Sequence, residues 1–169
     1  MLKWSAAEAA ALLETSVASV NSALQRARAT LAKSPTPQLD PIDTAAHAEL
    51  LARYVDAFER YDIDQLVTLL RDDVVLSMPP FDMWLVGPQN LAGWFLEQGA
   101  ACRGSKLLPV TVSGTAGFGS YKAFNPGVWE PWALQVIEVV DGRISGHHNF
   151  LCPQDPAVFA RYGLPPRIG

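Results

Sequence analysis

Three prolines, Pro35, Pro37 and Pro41, stand within seven positions of this chain. Each fixes its own φ, lacks an amide hydrogen and pushes the preceding residue out of the helical region. No helix or strand ladder can run through such a segment, so residues 34–43 read as a semi-rigid linker. The folded material must therefore divide. A short stretch, residues 1–33, precedes the linker. A long one, residues 44–152, follows it and is closed by a tail at residues 153–169.

Charge divides at the same place. Residues 1–33 carry Lys3, Arg26, Arg28 and Lys33 against Glu8 and Glu14, a balance of +2. The whole chain carries −4, so residues 34–169 hold −6. The basic end suits a polyanion and the acidic remainder does not. Hydrophobic residues make up 49% of the chain and charged ones 18%, which supplies a core and excludes general disorder. The abundant aromatics favour a large core or a lined cavity. The N-terminus lacks the layout of a signal peptide, and no apolar run reaches membrane-spanning length. A soluble, cytoplasmic protein without membrane contact is expected. Cys102 and Cys152 match no zinc spacing, so free thiols are the expectation and a disulfide the alternative. No metal or cofactor is implied.

Before the linker, residues 4–13 read as a short helix that Ser5 and Glu8 start as a capping box. Ser16 is a natural N-cap for a second helix over 17–32. There Val17, Val20, Leu24, Ala27 and Leu31 form one apolar stripe at spacings of three and four, expected to be buried. Ser16, Ser19, Asn21, Ser22, Gln25, Arg26 and Arg28 are left for the other side. Short polar groups and arginines beside a buried stripe suit a recognition helix in a DNA major groove. Periodicity alone fits a plain helical hairpin equally well.

The run WSAAEAAALLETSVASVNSALQRARATL resembles the end of region 4 of extracytoplasmic-function sigma factors. The resemblance rests on Ala9-Ala10, Leu13, Ser16-Val17, Val20, Ser22, Leu24 and Arg26-Ala27-Arg28. It implies a helix-turn-helix fragment that binds promoter −35 DNA, with RNA polymerase core enzyme and promoter DNA as partners of the full-length protein. Region 2 and the first helices of region 4 are not in this sequence, which reads as a fragment.

After the linker, the pattern predicts helices over 44–61, 63–70 and 88–100, and a strand over 73–78 with a short aromatic segment at 81–86. It further predicts strands near 106–117, 129–140 and 143–151, the last two joined by a tight turn at Asp141-Gly142. A short helix near 156–162 ends the chain. This order is an α+β domain: a bent antiparallel sheet wrapped around helices to form a cone with a pocket. HAELLARYVDAFERYDIDQLVTLLRDDVVLSMPP resembles the opening of SnoaL-like members of the NTF2-like superfamily, and Gly163 to Arg167 resembles the tail of sigma factors that carry such a domain.

The resemblance implies site residues. The oxygen-binding tyrosine of isomerase relatives falls on Tyr54 and their general base on Met78, which cannot accept a proton. Their second acid falls near Gln135. Asp82, Glu97, Glu130, His147 and His148 remain as substitute bases. Adjacent strand residues face opposite sides, so one of the two histidines can point inward; His148 is assigned there. Phe81, Trp84, Trp94, Trp132 and Phe150 complete the expected pocket. The expectation is a regulatory cone that binds a small apolar ligand without catalysis. A cyclase or isomerase enzyme is the alternative, and a homodimer is left open.

Overall fold

The computed structural model describes residues 4–33, 38–152 and 156–169. Pro35, Pro37 and Pro153 lie outside the described residues. The chain separates into two compact units, 1–38 and 39–169.

The first unit is a helical pair, α1 (Ala6–Leu12) and α2 (Val17–Lys33). The Ser5 hydroxyl accepts from the Glu8 amide at 3.3 Å and the Glu8 carboxylate accepts from the Ser5 amide at 2.7 Å, the reciprocal capping box. Glu14, at φ 49°, turns the chain. Ser16 then caps α2 through its hydroxyl, 3.1 Å from the Ser19 amide. The stripe on α2 is not buried as expected. Val17 and Leu24 are each 45% exposed and Leu31 72%. The physical reason is length: α1 has seven residues, and with it Ala10 is buried and Val20 half-buried.

The second unit holds α3 (Ala45–Arg60), α4 (Ile63–Thr68), β1 (Leu70–Ser77), β2 (Trp84–Val86), α5 (Pro88–Leu96), β3 (Lys106–Val112), β4 (Thr115–Asn125), β5 (Val128–Val140), β6 (Arg143–Leu151) and α6 (Pro156–Arg161). One sheet runs in the order β2-β1-β6-β5-β4-β3. Every neighbouring pair is antiparallel except β1 and β6, which are parallel, so the sheet is mixed. The single strand expected over 106–117 is instead a hairpin. Ser113 and Gly114, at φ 51° and 81°, form its turn, and β4 continues to Asn125. Left-handed dihedrals at two consecutive residues match the twist of flanking strands, which is why a Ser-Gly pair can end a strand.

α3 lies against the inner face of the sheet. Thr44 caps it, accepting from the His47 amide at 3.1 Å. His47, Leu50, Tyr54, Ala57 and Phe58 are buried at helical spacing. The last four of these, with Leu66, Leu91, Phe95, Phe118, Ile137 and Ile144, form the principal core. A second, smaller core lies on the outer face, where Phe159 and Leu164 of the C-terminal segment pack on Tyr121 and Leu134. Ile168 exchanges backbone hydrogen bonds with Trp129, at 2.8 and 3.0 Å. Gly119 makes room there: a Cβ would stand 2.7 Å from Leu164 Cδ1 and 3.1 Å from Phe159 Cε1, so those side chains would have to shift. Among the described residues, neither Cys102 nor Cys152 is in a disulfide.

The end of the proline segment is built into this unit. The Asp40 amide donates to the Val139 carbonyl at 2.8 Å, and its carboxylate accepts from the Asp141 and Gly142 amides at 3.1 and 2.7 Å. Asp40 therefore holds the β5–β6 turn as a side-chain cap would hold a helix end. Replacing Asp40 with Ala should cost roughly 1–3 kcal/mol, the usual cost of unpairing amides bonded to a charged acceptor. Urea unfolding of the variant beside the wild type measures it; equal midpoints would show that the amides find water at no cost.

Candidate functional site

The inner face of the sheet is where the fold gathers polar groups. Tyr54, from the middle of α3, is fully buried with its hydroxyl 2.8 Å from Gln135 Oε1 on β5 and 3.0 Å from His147 Nε2 on β6. A phenol has one proton. With that proton given to the Gln135 carbonyl oxygen, His147 must be the Nε2–H tautomer and donate to the phenol oxygen. Phe118, Phe58 and Phe95 enclose the trio; the Phe95 ring stacks on the His147 ring at 6.0 Å between centroids.

Burial sets the charge states. It raises the Tyr54 hydroxyl well above its ordinary value, with a smaller push from Cys102. Burial first, and His148 second, lowers His147 to about 3. Both groups are thus neutral near pH 7, a donor and an acceptor rather than an acid and a base.

The structure brings some of the sequence-assigned residues together and not others. Met78, Trp94, Trp132 and Gln135 surround one cavity beside the trio. Phe58, Phe95 and Cys102 fill its walls, leaving about 10 Å³. That is room for about one water, whereas sites for drug-sized ligands measure roughly 300–1,000 Å³. The apolar ligand expected in the cone has no space in this conformation. Phe81 and Trp84 are 62% and 65% exposed and Phe150 45%, so these three aromatics are surface residues and not cavity walls. Asp82, Glu97 and Glu130 are exposed as well.

His148 is a correction too. Its ring lies on the outer face, with Nδ1 2.8 Å from Ser77 Oγ and Nε2 3.6 Å from Glu138 Oε2. His147 is the inward residue. A two-residue turn at Asp141-Gly142 pairs Val139 with Ile144, and continuing that register would set Gln135 opposite His148. The register instead slips by one between Glu138 and Val139, so that Glu138 pairs with Gly146 and Gln135 with Asn149. The extra residue, Ser145, is a β-bulge, and a slip of one moves every later side chain to the other face. Gly146 beside the bulge is the one trace of it in the sequence.

A larger opening lies outside the cone, a groove of about 810 Å³ beside α3, walled by Leu51, Val55, Leu107, Pro109 and Val110. Glu59, at this groove, pairs with Lys106 at 2.7 Å and accepts from the Leu107 amide at 2.9 Å. In the first unit, Ser16, Ser19, Asn21, Ser22, Gln25, Arg26 and Arg28 are all exposed. At 100° per residue, Ser19, Ser22, Gln25 and Arg26 lie on the half of α2 away from Val20, Leu24, Ala27 and Leu31, Asn21 stands at its border and Arg28 flanks the stripe. Among the described residues no helix is long and apolar enough to cross a membrane, and no three ligating side chains cluster as a metal site.

No family profile matches the chain. Two curated relatives do, both named ECF RNA polymerase sigma factor SigG, from two strains of Mycobacterium tuberculosis. Each is 34% identical over 170 aligned residues, 98% of this chain. The chain spans 45% of those relatives' length. Among solved structures, an NTF-2 like protein of unknown function from Burkholderia xenovorans matches with a TM-score of 0.55 and 14% identity, over 72% of this chain and 95% of that one. A protein named as a candidate ketosteroid isomerase from Kribbella flavida matches with a TM-score of 0.52 and 18% identity, over 65% and 80%. The structural likenesses give the fold, an NTF2-like α+β cone. Along nearly its whole length the chain is similar in sequence to extracytoplasmic-function RNA polymerase sigma factors.

Proposed function

We propose that this chain serves transcription initiation, as the part of an alternative sigma factor in which a helix-turn-helix fragment meets promoter −35 DNA and an NTF2-like cone regulates without catalysing. Its partners are then RNA polymerase core enzyme and promoter DNA, and its place is the cytoplasm. The observation that carries this reading is the 34% identity to sigma factors over 98% of the chain. Two features of the units support it. α2 presents Arg26 and Arg28 with Ser19, Asn21, Ser22 and Gln25 to solvent, the groups that reach phosphates and base edges. Its apolar stripe, uncovered in this unit, suits packing against further helices of a DNA-binding domain.

Three points favour a cone without catalysis. Met78 stands at the cavity where isomerase relatives, by resemblance, keep a base. His147 is neutral with Nε2 already engaged by Tyr54. The cavity holds about 10 Å³. A missing general base alone removes about 10²–10⁴-fold in rate.

The test is a salt titration of promoter binding by the polymerase holoenzyme containing the full-length protein. Each phosphate contact contributes about 0.9 to the slope of log K against log salt. Arg26→Ala with Arg28→Ala should lower that slope by about two. An unchanged slope removes α2 from the DNA interface and defeats the proposal.

A further inference from the structure

The β4–β5 ladder leaves regular pairing twice, and each departure frees one aromatic residue. Ser120 pairs with Ala133 but Tyr121 with Pro131, so Trp132 is the extra residue of a first bulge. Ala123 pairs with Trp129 but Asn125 with Val128, so Phe124 is the extra residue of a second. The second bulge lies on the opposite strand and cancels the first, so the register beyond the pair equals the register before it. A bulge forfeits ladder pairing and re-aims a side chain. Two that cancel leave the course of the sheet unchanged and alter only the segment between them.

Lys122 stands at the centre of that segment. It shares the inner face of β4 with Ser120 and lies one step beyond the cavity that Ser120 and Trp132 line. Its Nζ is 4.5 Å from the centre of the Trp132 ring and 5.6 Å from that of Phe124, both within the reach of a cation–π contact. The rings are 6.0 Å apart with their planes at 59°, an open corner with the ammonium inside. The two bulges thus build a two-walled cage for a cation.

Lys122 has a second place to go. Glu130 is its direct partner across the ladder, and Cβ atoms of such partners stand about 5 Å apart, a gap a lysine stem spans. Glu130 is exposed, yet neither it nor Lys122 belongs to an ion pair among the described residues. A lysine ammonium is a compact, strongly hydrated charge. A quaternary ammonium has no N–H to donate, and recognising it is a known use of aromatic cages. The balance of −6 over residues 34–169 attracts a cation and repels an anion.

We propose that Phe124 and Trp132 form a binding site for a small quaternary ammonium ion, which Lys122 fills in this conformation and vacates towards Glu130 when the ion enters. Occupancy then follows from the difference in affinity between the two arrangements. The inference stands independently of the transcription reading.

Titration of the full chain with choline chloride tests it, followed through the Trp132 indole N–H resonance, with sodium chloride holding the ionic strength constant. Trp132→Phe assigns the resonance. Choline should move it saturably, and dimethylbutanol, its uncharged carbon isostere, should not. Lys122→Met removes the resident cation and should bind choline about tenfold tighter than the wild type. Adding Phe124→Ala, at an exposed position, should lower that affinity about fivefold with the circular dichroism spectrum unchanged. Glu130→Gln removes the second place for Lys122 and should weaken choline binding to the wild type. An equal response to the uncharged isostere overturns the proposal. So does a Lys122→Met variant that binds no tighter than the wild type, an affinity indifferent to Phe124→Ala, or a wild type unaffected by Glu130→Gln.

Discussion

Lowering the pH from 6.5 to 5 should strip about 2 kcal/mol from this protein's stability through His147 alone. The imidazole ordinarily titrates near 6.5, and burial lowers it to about 3 in the fold. The unfolded chain therefore takes up the proton first. Above pH 6.5 the contribution is complete; below it the contribution drains towards pH 3 at up to about 1.4 kcal/mol per pH unit. Surface carboxylates titrate in part of the same window, so a reference is needed. His147→Gln has no proton to gain and keeps a donor for Tyr54. Urea midpoints measured from pH 7.5 to 4.5 should fall more steeply for the wild type than for that variant. Parallel curves would mean that water or a partner reaches His147 and solvates its charge.

The second large effect lies at the C-terminal segment. Phe159→Ala should cost about 3–5 kcal/mol, the range for truncating a buried phenylalanine. Phe159 is fully buried, its ring edge-on to Tyr121 with centroids 5.1 Å apart. Tyr121 also donates its hydroxyl to the Pro165 carbonyl at 2.8 Å, so the segment is held at both ends of the contact. Denaturant unfolding of the full chain checks this. A loss below about 1 kcal/mol would mean that the segment leaves the sheet readily and that its cover is not part of the fold's stability.

Local chemistry made much of this readable beforehand. The Ser5–Glu8 capping box, the Ser16 cap and the Asp141-Gly142 turn each depend on residues within three positions of one another, and the sequence displays them directly. Tyr54, placed in the pocket by resemblance, does face inward from α3. What was hidden depended on distance or on counting. Asp40 read as linker because its partners, the Asp141 and Gly142 amides, lie about a hundred residues away. The β3–β4 hairpin was missed because Ser113-Gly114 interrupts a continuous run of strand-forming residues with a weak turn signal. The aromatics misled for a different reason: Phe81, Trp84 and Phe150 have the composition of a lined pocket, but register assigns Trp84 and Phe150 to the outer surface and Phe81 is exposed between two strands. The cavity's size was not legible at all, because about 10 Å³ is what remains after Phe58, Phe95, Trp94 and Met78 pack.

The bulge at Ser145 bears on how such a sequence can vary. Beyond it, every residue of β6 owes its face to a count of positions rather than to its own chemistry. Deleting Ser145 would set Gly146 directly after Ile144 and opposite Glu138, as in an unbulged hairpin, so His147 would stay inward and His148 outward. Gene variants of this stretch should therefore lose this one residue as readily as replace it. A one-codon loss at the bulge is a lighter lesion than the same loss farther along β6, where no spare residue absorbs it and every side chain beyond it turns to the other face.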